Sequence, residues 1–144
     1  MNEVTEVEIA EKIAEEAHAG QFRQGPNGEP YVNHPKRVAK RFSTFESDDL
    51  RVVALLHDVL EDSDFTEQQL LNRGISLANV LSVKTLTKSA GDNYDDYLQR
   101  VAADDTSRAV KVADMLDNLS SDPSEKQVKK YAKGLAFLLN LDVK

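Results

Sequence analysis

Cysteine is absent from this sequence of 144 residues. Disulfide bonds and thiolate metal sites are therefore excluded. The absence of disulfides fits a cytoplasmic location, which is our expectation for the chain. The N-terminal residues contain no basic segment followed by an apolar one, and no apolar run approaches the length needed to cross a membrane. We therefore expect neither a signal peptide nor a membrane anchor.

An excess of basic residues is also lacking. The chain has 18 Lys and Arg against 25 Asp and Glu, which gives a formal net charge of -7. Because phosphate neutralisation normally needs a basic face, general nucleic-acid binding is not expected. Binding of a small anionic ligand remains compatible with this net charge, since a few cationic side chains and a metal ion can make the electrostatic field within one pocket positive. With 40% hydrophobic and 30% charged residues, the composition predicts one globular domain over residues 1–144.

The alternation of apolar and polar residues that is typical of β-strands is lacking as well. Apolar residues instead recur at helical spacing between capping signals. The pattern predicts an all-α bundle of seven or eight helices. The expected helices cover about residues 5–19, 35–44 and 48–62, a short segment between Thr66 and Gly74, residues 76–87, and three segments that begin near Tyr94, Thr106 and Pro123.

The most unusual stretch is residues 55–62, at the end of the expected central helix. Four ionisable side chains, those of His57, Asp58, Glu61 and Asp62, follow an apolar segment typical of a buried helix. Such groups are costly to bury unless they are paired or bind a metal, and on a helix their spacing lets all four border one cleft. An imidazole beside a carboxylate suits a divalent cation, and the later carboxylates could handle a water molecule. The alternative is a chance His-Asp pair at a solvated helix end.

Two further candidate ligands lie far from this stretch in the sequence. His34 ends a loop rich in glycine and proline, where it could alternatively be a cap or a surface residue. Asp114 lies among the apolar positions of the seventh expected helix, where it could alternatively pair with Lys111, and Asn118 is one turn further on the same face. We interpret His18, near the end of the first helix, as structural.

Five motifs, taken in their order along the chain, resemble one family. They are residues 17–23, 30–35, 55–62, 86–88 and 110–114. Together they resemble the HD-superfamily hydrolase domain of the RelA/SpoT proteins and their stand-alone small alarmone hydrolases. Each motif is weak alone, but the ordered set is specific.

This resemblance implies a manganese-dependent 3′-pyrophosphohydrolase that acts on guanosine tetra- or pentaphosphate, (p)ppGpp. It implies metal ligands at four positions, His34, His57, Asp58 and Asp114. It implies that water is activated by Glu61 and Asp62. It also implies a nucleotide pocket to which three residues belong, with Arg23 beside the base: Arg23, Asn118 and Tyr131.

Two departures from the family pattern leave the substrate open. Gln24 stands where a basic residue often follows Arg23, and Asp117 makes the surroundings of Asn118 less basic. A second interpretation is therefore an HD phosphohydrolase that acts on another nucleotide or phosphoester. A third is a non-catalytic domain that senses a nucleotide, although binding alone does not need Glu61 and Asp62. The sequence does not indicate an oligomeric state.

Overall fold

The computed structural model describes residues 3–24 and 28–140, and the secondary structure of these residues is helical, which confirms the all-α prediction. Phe22 and Pro30 form an isolated β-bridge. The described helices are α1 (Glu6–Ala17), α2 (Asn33–Lys40), α3 (Asp48–Leu56), α4 (Val59–Asp62), α5 (Glu67–Asn72), α6 (Leu77–Leu86), α7 (Tyr94–Ala102), α8 (Asp105–Leu119) and α9 (Glu125–Leu138).

The expected central helix is interrupted at His57 and Asp58, which lie between α3 and α4. A hydrogen bond explains the interruption. The Nδ1 atom of His57 donates to the carbonyl oxygen of Ala54 at 2.6 Å, and a continuous helix would use that carbonyl for the amide of Asp58. Counted as one interrupted helix, α3 and α4 bring the described helices to the expected eight.

Several helix boundaries differ from the predicted ones. Helix α8 begins earlier because the side chain of Asp104, and not that of Thr106, accepts the capping hydrogen bond from the amide of Ser107. Helix α9 begins after Pro123, because Ser124 forms a capping box with Gln127.

Helix α2 begins before Pro35, so that His34 lies inside the helix and not in front of it. The predicted capping box between Thr66 and Gln69 is present at the start of α5. The position of His34 matters for the site, because the first turn of α2 fixes where its ring points.

Helix α3 lies at the centre of the fold. Five consecutive residues, Val52 to Leu56, are buried, and the helix packs against α1, α2, α6 and α8. Each of the buried valine and leucine side chains among them stabilises the fold by about 1.5–3 kcal/mol. The end of α3 therefore presents His57 from a firmly packed interior. None of the described helices is both long enough and apolar enough to cross a membrane.

Candidate metal centre

Three separate elements bring acidic and imidazole groups together beneath the surface. His34 comes from α2, His57 and Asp58 come from the interruption between α3 and α4, and Asp114 comes from α8. His34, His57 and Asp114 are at most 5% exposed. One ligand atom from each of His34, His57 and Asp58 lies within 4.8 Å of the other two, so these residues could hold a metal ion.

Asp114 belongs to the same cluster. Its Oδ1 atom is 2.8 Å from Nε2 of His34 and 3.2 Å from Nε2 of His57. Asp58 Oδ2 is 3.1 Å from Nε2 of His57 and 3.8 Å from Nε2 of His34. Ligand atoms at about 2.1 Å from an octahedral cation are about 3 Å apart along each edge. The structure therefore gives His34, His57 and Asp58 a spacing that suits one ion and places Asp114 beside both imidazoles, while the role of all four as ligands stays a prediction.

Hydrogen bonds behind the two imidazoles fix which nitrogen faces the centre. Nδ1 of His57 donates to the carbonyl of Ala54, and Nδ1 of His34 lies 2.6 Å from Oδ2 of Asp117. A carbonyl and a carboxylate can only accept, so each Nδ1 carries a proton. Each Nε2 points inward at Oδ1 of Asp114, and a cation that replaced the proton between them would receive the nitrogen lone pair. This is the usual arrangement of a histidine that binds a metal.

Asp117 is itself firmly held. Its two carboxylate oxygens accept hydrogen bonds from Nε of Arg37 at 2.8 Å and from Nη2 at 3.1 Å, and the residue is 2% exposed. Burial would raise the pKa of Asp117, but the bonds from His34 and Arg37 hold it well below its usual range. The carboxylate therefore stays charged behind His34.

The electrostatics of the cluster favour a positive charge. Burial lowers the pKa of His57, but the charge of Asp58 and the hydrogen bond to Asp114 outweigh it and raise that pKa well above its usual value. Burial raises the pKa of Asp58, but His57 outweighs it and lowers that pKa to about 2. A divalent cation would satisfy the same two carboxylates. Two imidazole nitrogens and two carboxylate oxygens, with no sulfur, are ligands that suit manganese and similar ions.

The acidic pair on α4 lies at the edge of the cluster. Oε1 of Glu61 accepts a hydrogen bond from the backbone amide of Lys88 at 2.8 Å. Burial and the charges of Asp58 and Glu61 raise the pKa of Asp62 to about 6. A carboxylate with a pKa near neutrality is suited to exchange a proton with water. The side chain of Gln21 holds this end of α4 by donating to the carbonyl of Asp62 at 2.8 Å.

The three predicted substrate residues lie together on another side of the cluster. Nη2 of Arg23 donates to Oδ1 of Asn118 at 2.9 Å. Asn118 Nδ2 in turn lies 3.3 Å from Oδ1 of Asp114. Burial and the charge of Asp114 raise the pKa of Tyr131, whereas the charges of Lys111 and Arg23 lower it, so the Tyr131 hydroxyl lies within electrostatic reach of the same groups.

Comparison with known proteins identifies the family, although no protein-family model matches the chain. The guanosine-3′,5′-bis(diphosphate) 3′-pyrophosphohydrolase of Haemophilus influenzae is 34% identical over 118 residues, which cover 74% of this chain and 17% of that protein. The enzyme of the same name from Aquifex aeolicus is 32% identical over 125 residues, 81% of this chain and 18% of that protein. The chain belongs to the RelA/SpoT family of HD hydrolase domains.

A solved structure extends the comparison of this RelA/SpoT-type domain to the fold. A metazoan ortholog of SpoT, reported to hydrolyse ppGpp, matches with a TM-score of 0.80 and 22% identity, over 98% of this chain and 89% of that one. This match confirms the HD-type helical fold. The chain spans only 17–18% of the length of the two curated relatives above.

The sequence did not predict the roles of three residues of this RelA/SpoT-type site: Arg37 and Tyr31 were missed, and Asp117 was given another role. Asp117 and Arg37 support His34, and the hydroxyl of Tyr31 donates to Oδ2 of Asp58 at 2.6 Å. The spacing of Asp114 and Asp117 was a usable signal, because residues three apart on a helix share a face. His18 packs its ring 4.9 Å from that of Tyr31, and its structural role stays an expectation.

Proposed function

We propose that this domain is a metal-dependent phosphohydrolase that removes pyrophosphate from the 3′ position of guanosine 3′,5′-bis(diphosphate). The observation that carries the proposal is the convergence of His34, His57 and Asp58, whose ligand atoms lie within 4.8 Å of one another. The names of the curated relatives support the choice of substrate.

The proposed cation is manganese or another divalent ion, held by His34, His57, Asp58 and Asp114. When bound, it would make water more acidic and offset negative charge on the phosphate. Asp117 and the carbonyl of Ala54 keep the two imidazoles turned towards it. The mixed nitrogen and oxygen ligands support manganese over an ion that prefers sulfur.

The proposed reaction is hydrolysis. Asp62 takes a proton from water, whose oxygen forms a bond to the phosphorus attached to the 3′ oxygen. The bond between that phosphorus and the 3′ oxygen breaks, and the 3′ oxygen keeps the electron pair and takes a proton. The products are GDP and pyrophosphate. Glu61, held by the amide of Lys88, keeps negative charge beside Asp62 and so helps to raise its pKa.

The nucleotide is proposed to lie against Arg23, Asn118 and Tyr131. The guanidinium of Arg23 lies 5.8 Å from the centroid of the Tyr31 ring, and a planar guanidinium beside an aromatic ring is suited to stack on a base. Asn118 connects this surface to Asp114 and therefore to the proposed cation. Base and scissile phosphate would thus be held from adjoining sides.

The test is incubation of the purified chain with ppGpp and Mn²⁺. Release of pyrophosphate and GDP is expected, and Asp58→Asn should abolish it, whereas Asp105→Asn, at an exposed position of α8, should not. Hydrolysis of another phosphoester in a panel, with ppGpp untouched, would show that the substrate is wrong. No hydrolysis of any compound, with no manganese anomalous signal at the four ligands in a crystal, would overturn the enzymatic proposal.

A further inference from the structure

Three lysines from distant parts of the chain converge on two tyrosine rings of α7. The Nζ atoms of Lys88 and Lys130 lie 5.3 Å and 4.7 Å from the centroid of the Tyr94 ring. Nζ of Lys111 lies 5.4 Å from the centroid of the Tyr97 ring, and the two rings are 6.1 Å apart. We call Lys88, Lys111 and Lys130 the lysine cluster.

The lysine cluster gathers positive charge with little compensation. Of its three members, Lys111 alone has a carboxylate partner among the described residues, namely Asp114 at 3.0 Å. Burial and the charges of Lys111 and Lys88 lower the pKa of Lys130. Like charges that are brought together oppose folding, and the aromatic faces offset only part of that cost. Such an arrangement is typical of a site that receives an anion.

The lysine cluster adjoins the candidate metal centre. Lys111 binds Oδ2 of Asp114, while Oδ1 of the same carboxylate faces the two imidazoles. The backbone amide of Lys88 binds Glu61, which ties the cluster to the acidic pair on α4. One anionic group at the metal centre and a second, covalently linked to it, could therefore be bound at the same time.

We propose that the lysine cluster binds the distal phosphate of the 3′-pyrophosphate, so that the domain selects a diphosphate over a monophosphate at the scissile position. This proposal rests on the proposed function, because it assigns the leaving group of that reaction to Lys88, Lys111 and Lys130. Arg23, Asn118 and Tyr131 remain for the nucleoside. We expect this selection because Lys111 contacts Asp114 directly, whereas Lys130 forms no ion pair with a proposed ligand among the described residues.

The test compares the binding of inorganic pyrophosphate and of inorganic phosphate to the full chain by calorimetry, with and without Mn²⁺. Lys130→Met removes the charge and keeps most of the apolar stem. It should weaken pyrophosphate binding about tenfold and phosphate binding by no more than about twofold. Lys88→Met is the second variant and should act in the same direction.

Lys129→Met is the matched control. Its Nζ atom pairs with Glu125 at 3.2 Å, its side chain is 76% exposed, and it makes the same change of charge on the same helix. It should leave the binding of both anions unchanged. Either of two results would overturn the lysine cluster as a pyrophosphate site. One is an equal loss of affinity for pyrophosphate and phosphate in Lys130→Met and Lys88→Met. The other is no loss of affinity in these variants relative to Lys129→Met.

Hydrolysis of ppGpp by the unaltered chain separates this proposal from the proposed function. If the chain hydrolyses ppGpp but its pyrophosphate binding does not depend on Lys88 or Lys130, the subsite is wrong and the function stands. If ppGpp is not hydrolysed but both variants lose affinity for pyrophosphate and not for phosphate, the proposed function is wrong and the pyrophosphate subsite stands.

Discussion

Replacing Asp117 by asparagine should weaken the binding of Mn²⁺ although Asp117 is not among the proposed ligands. The carboxylate accepts hydrogen bonds from Nδ1 of His34 at 2.6 Å and from Nε and Nη2 of Arg37 at 2.8 Å and 3.1 Å. An asparagine has one acceptor oxygen, so its amide group must face a donor of either His34 or Arg37.

The structure sets the size of the effect. The asparagine oxygen should face Arg37, because the guanidinium presents two N–H donors to this position and His34 presents one. When the amide faces His34, the proton moves to Nε2, which then cannot bind the cation. Loss of such supporting partners typically lowers metal affinity about 10- to 100-fold, or about 1.4–2.8 kcal/mol.

Calorimetric titration of Mn²⁺ at neutral pH measures this loss directly. Asp105→Asn makes the same chemical change at an exposed position of α8 and should bind Mn²⁺ within about twofold of the unaltered chain. Arg37→Met, which leaves the bond between Asp117 and His34 in place, should lose less affinity than Asp117→Asn. A folded Asp117→Asn protein, verified by circular dichroism, with unchanged Mn²⁺ affinity would refute the reasoning.

Three further predictions concern other parts of the chain. Burial raises the pKa of Asp104, but hydrogen bonds from Ser107 and Ser82 outweigh burial and lower that pKa. The charged carboxylate of Asp104 therefore stabilises the fold above its ordinary pKa of 3.8, and this stabilisation is lost as the pH falls through the lower pKa of the folded state. Asp104→Asn should therefore cost about 1 kcal/mol in urea unfolding at neutral pH and progressively less as the pH falls below 3.8, and a constant difference would contradict this. Asp62→Asn should lower the turnover of ppGpp about 100-fold or more while Mn²⁺ binding, measured by calorimetry, stays unchanged; equal loss of both would show that Asp62 serves the cation. Leu56→Ala should lower the free energy of unfolding by about 2–5 kcal/mol, whereas Leu81→Ala, at a half-exposed position of α6, should cost much less, and similar costs would contradict the central place of α3.

The helices could be predicted because their signals are local. The capping box of Thr66 and Gln69 and the helical spacing of the buried residues of α1, from Ala10 to Ala17, act within a few residues. The interruption after Leu56 was missed because it depends on a side chain, that of His57, which takes the carbonyl of Ala54 from the helix. Periodicity does not report which acceptor a histidine chooses.

The candidate site was predictable only in part, for the same reason. The ordered motifs supplied His34, His57, Asp58 and Asp114, but nothing local connects His34 to a residue on α8. The sequence interpretation gave Asp117 the role of making the nucleotide pocket less basic, whereas its carboxylate binds His34 and Arg37. Contacts between α2 and α8 are made by tertiary packing, and a pattern within one helix cannot reveal them.

Helix α3 is buried along most of its length and ends at a candidate ligand, so the same backbone sets the packing of the interior and the spacing around the proposed cation. A cation that binds the folded chain and not the unfolded one stabilises the folded state by mass action. Supply of the ion would then govern how much folded protein a cell retains. Metal starvation should reduce the abundance of this domain as well as its rate of hydrolysis.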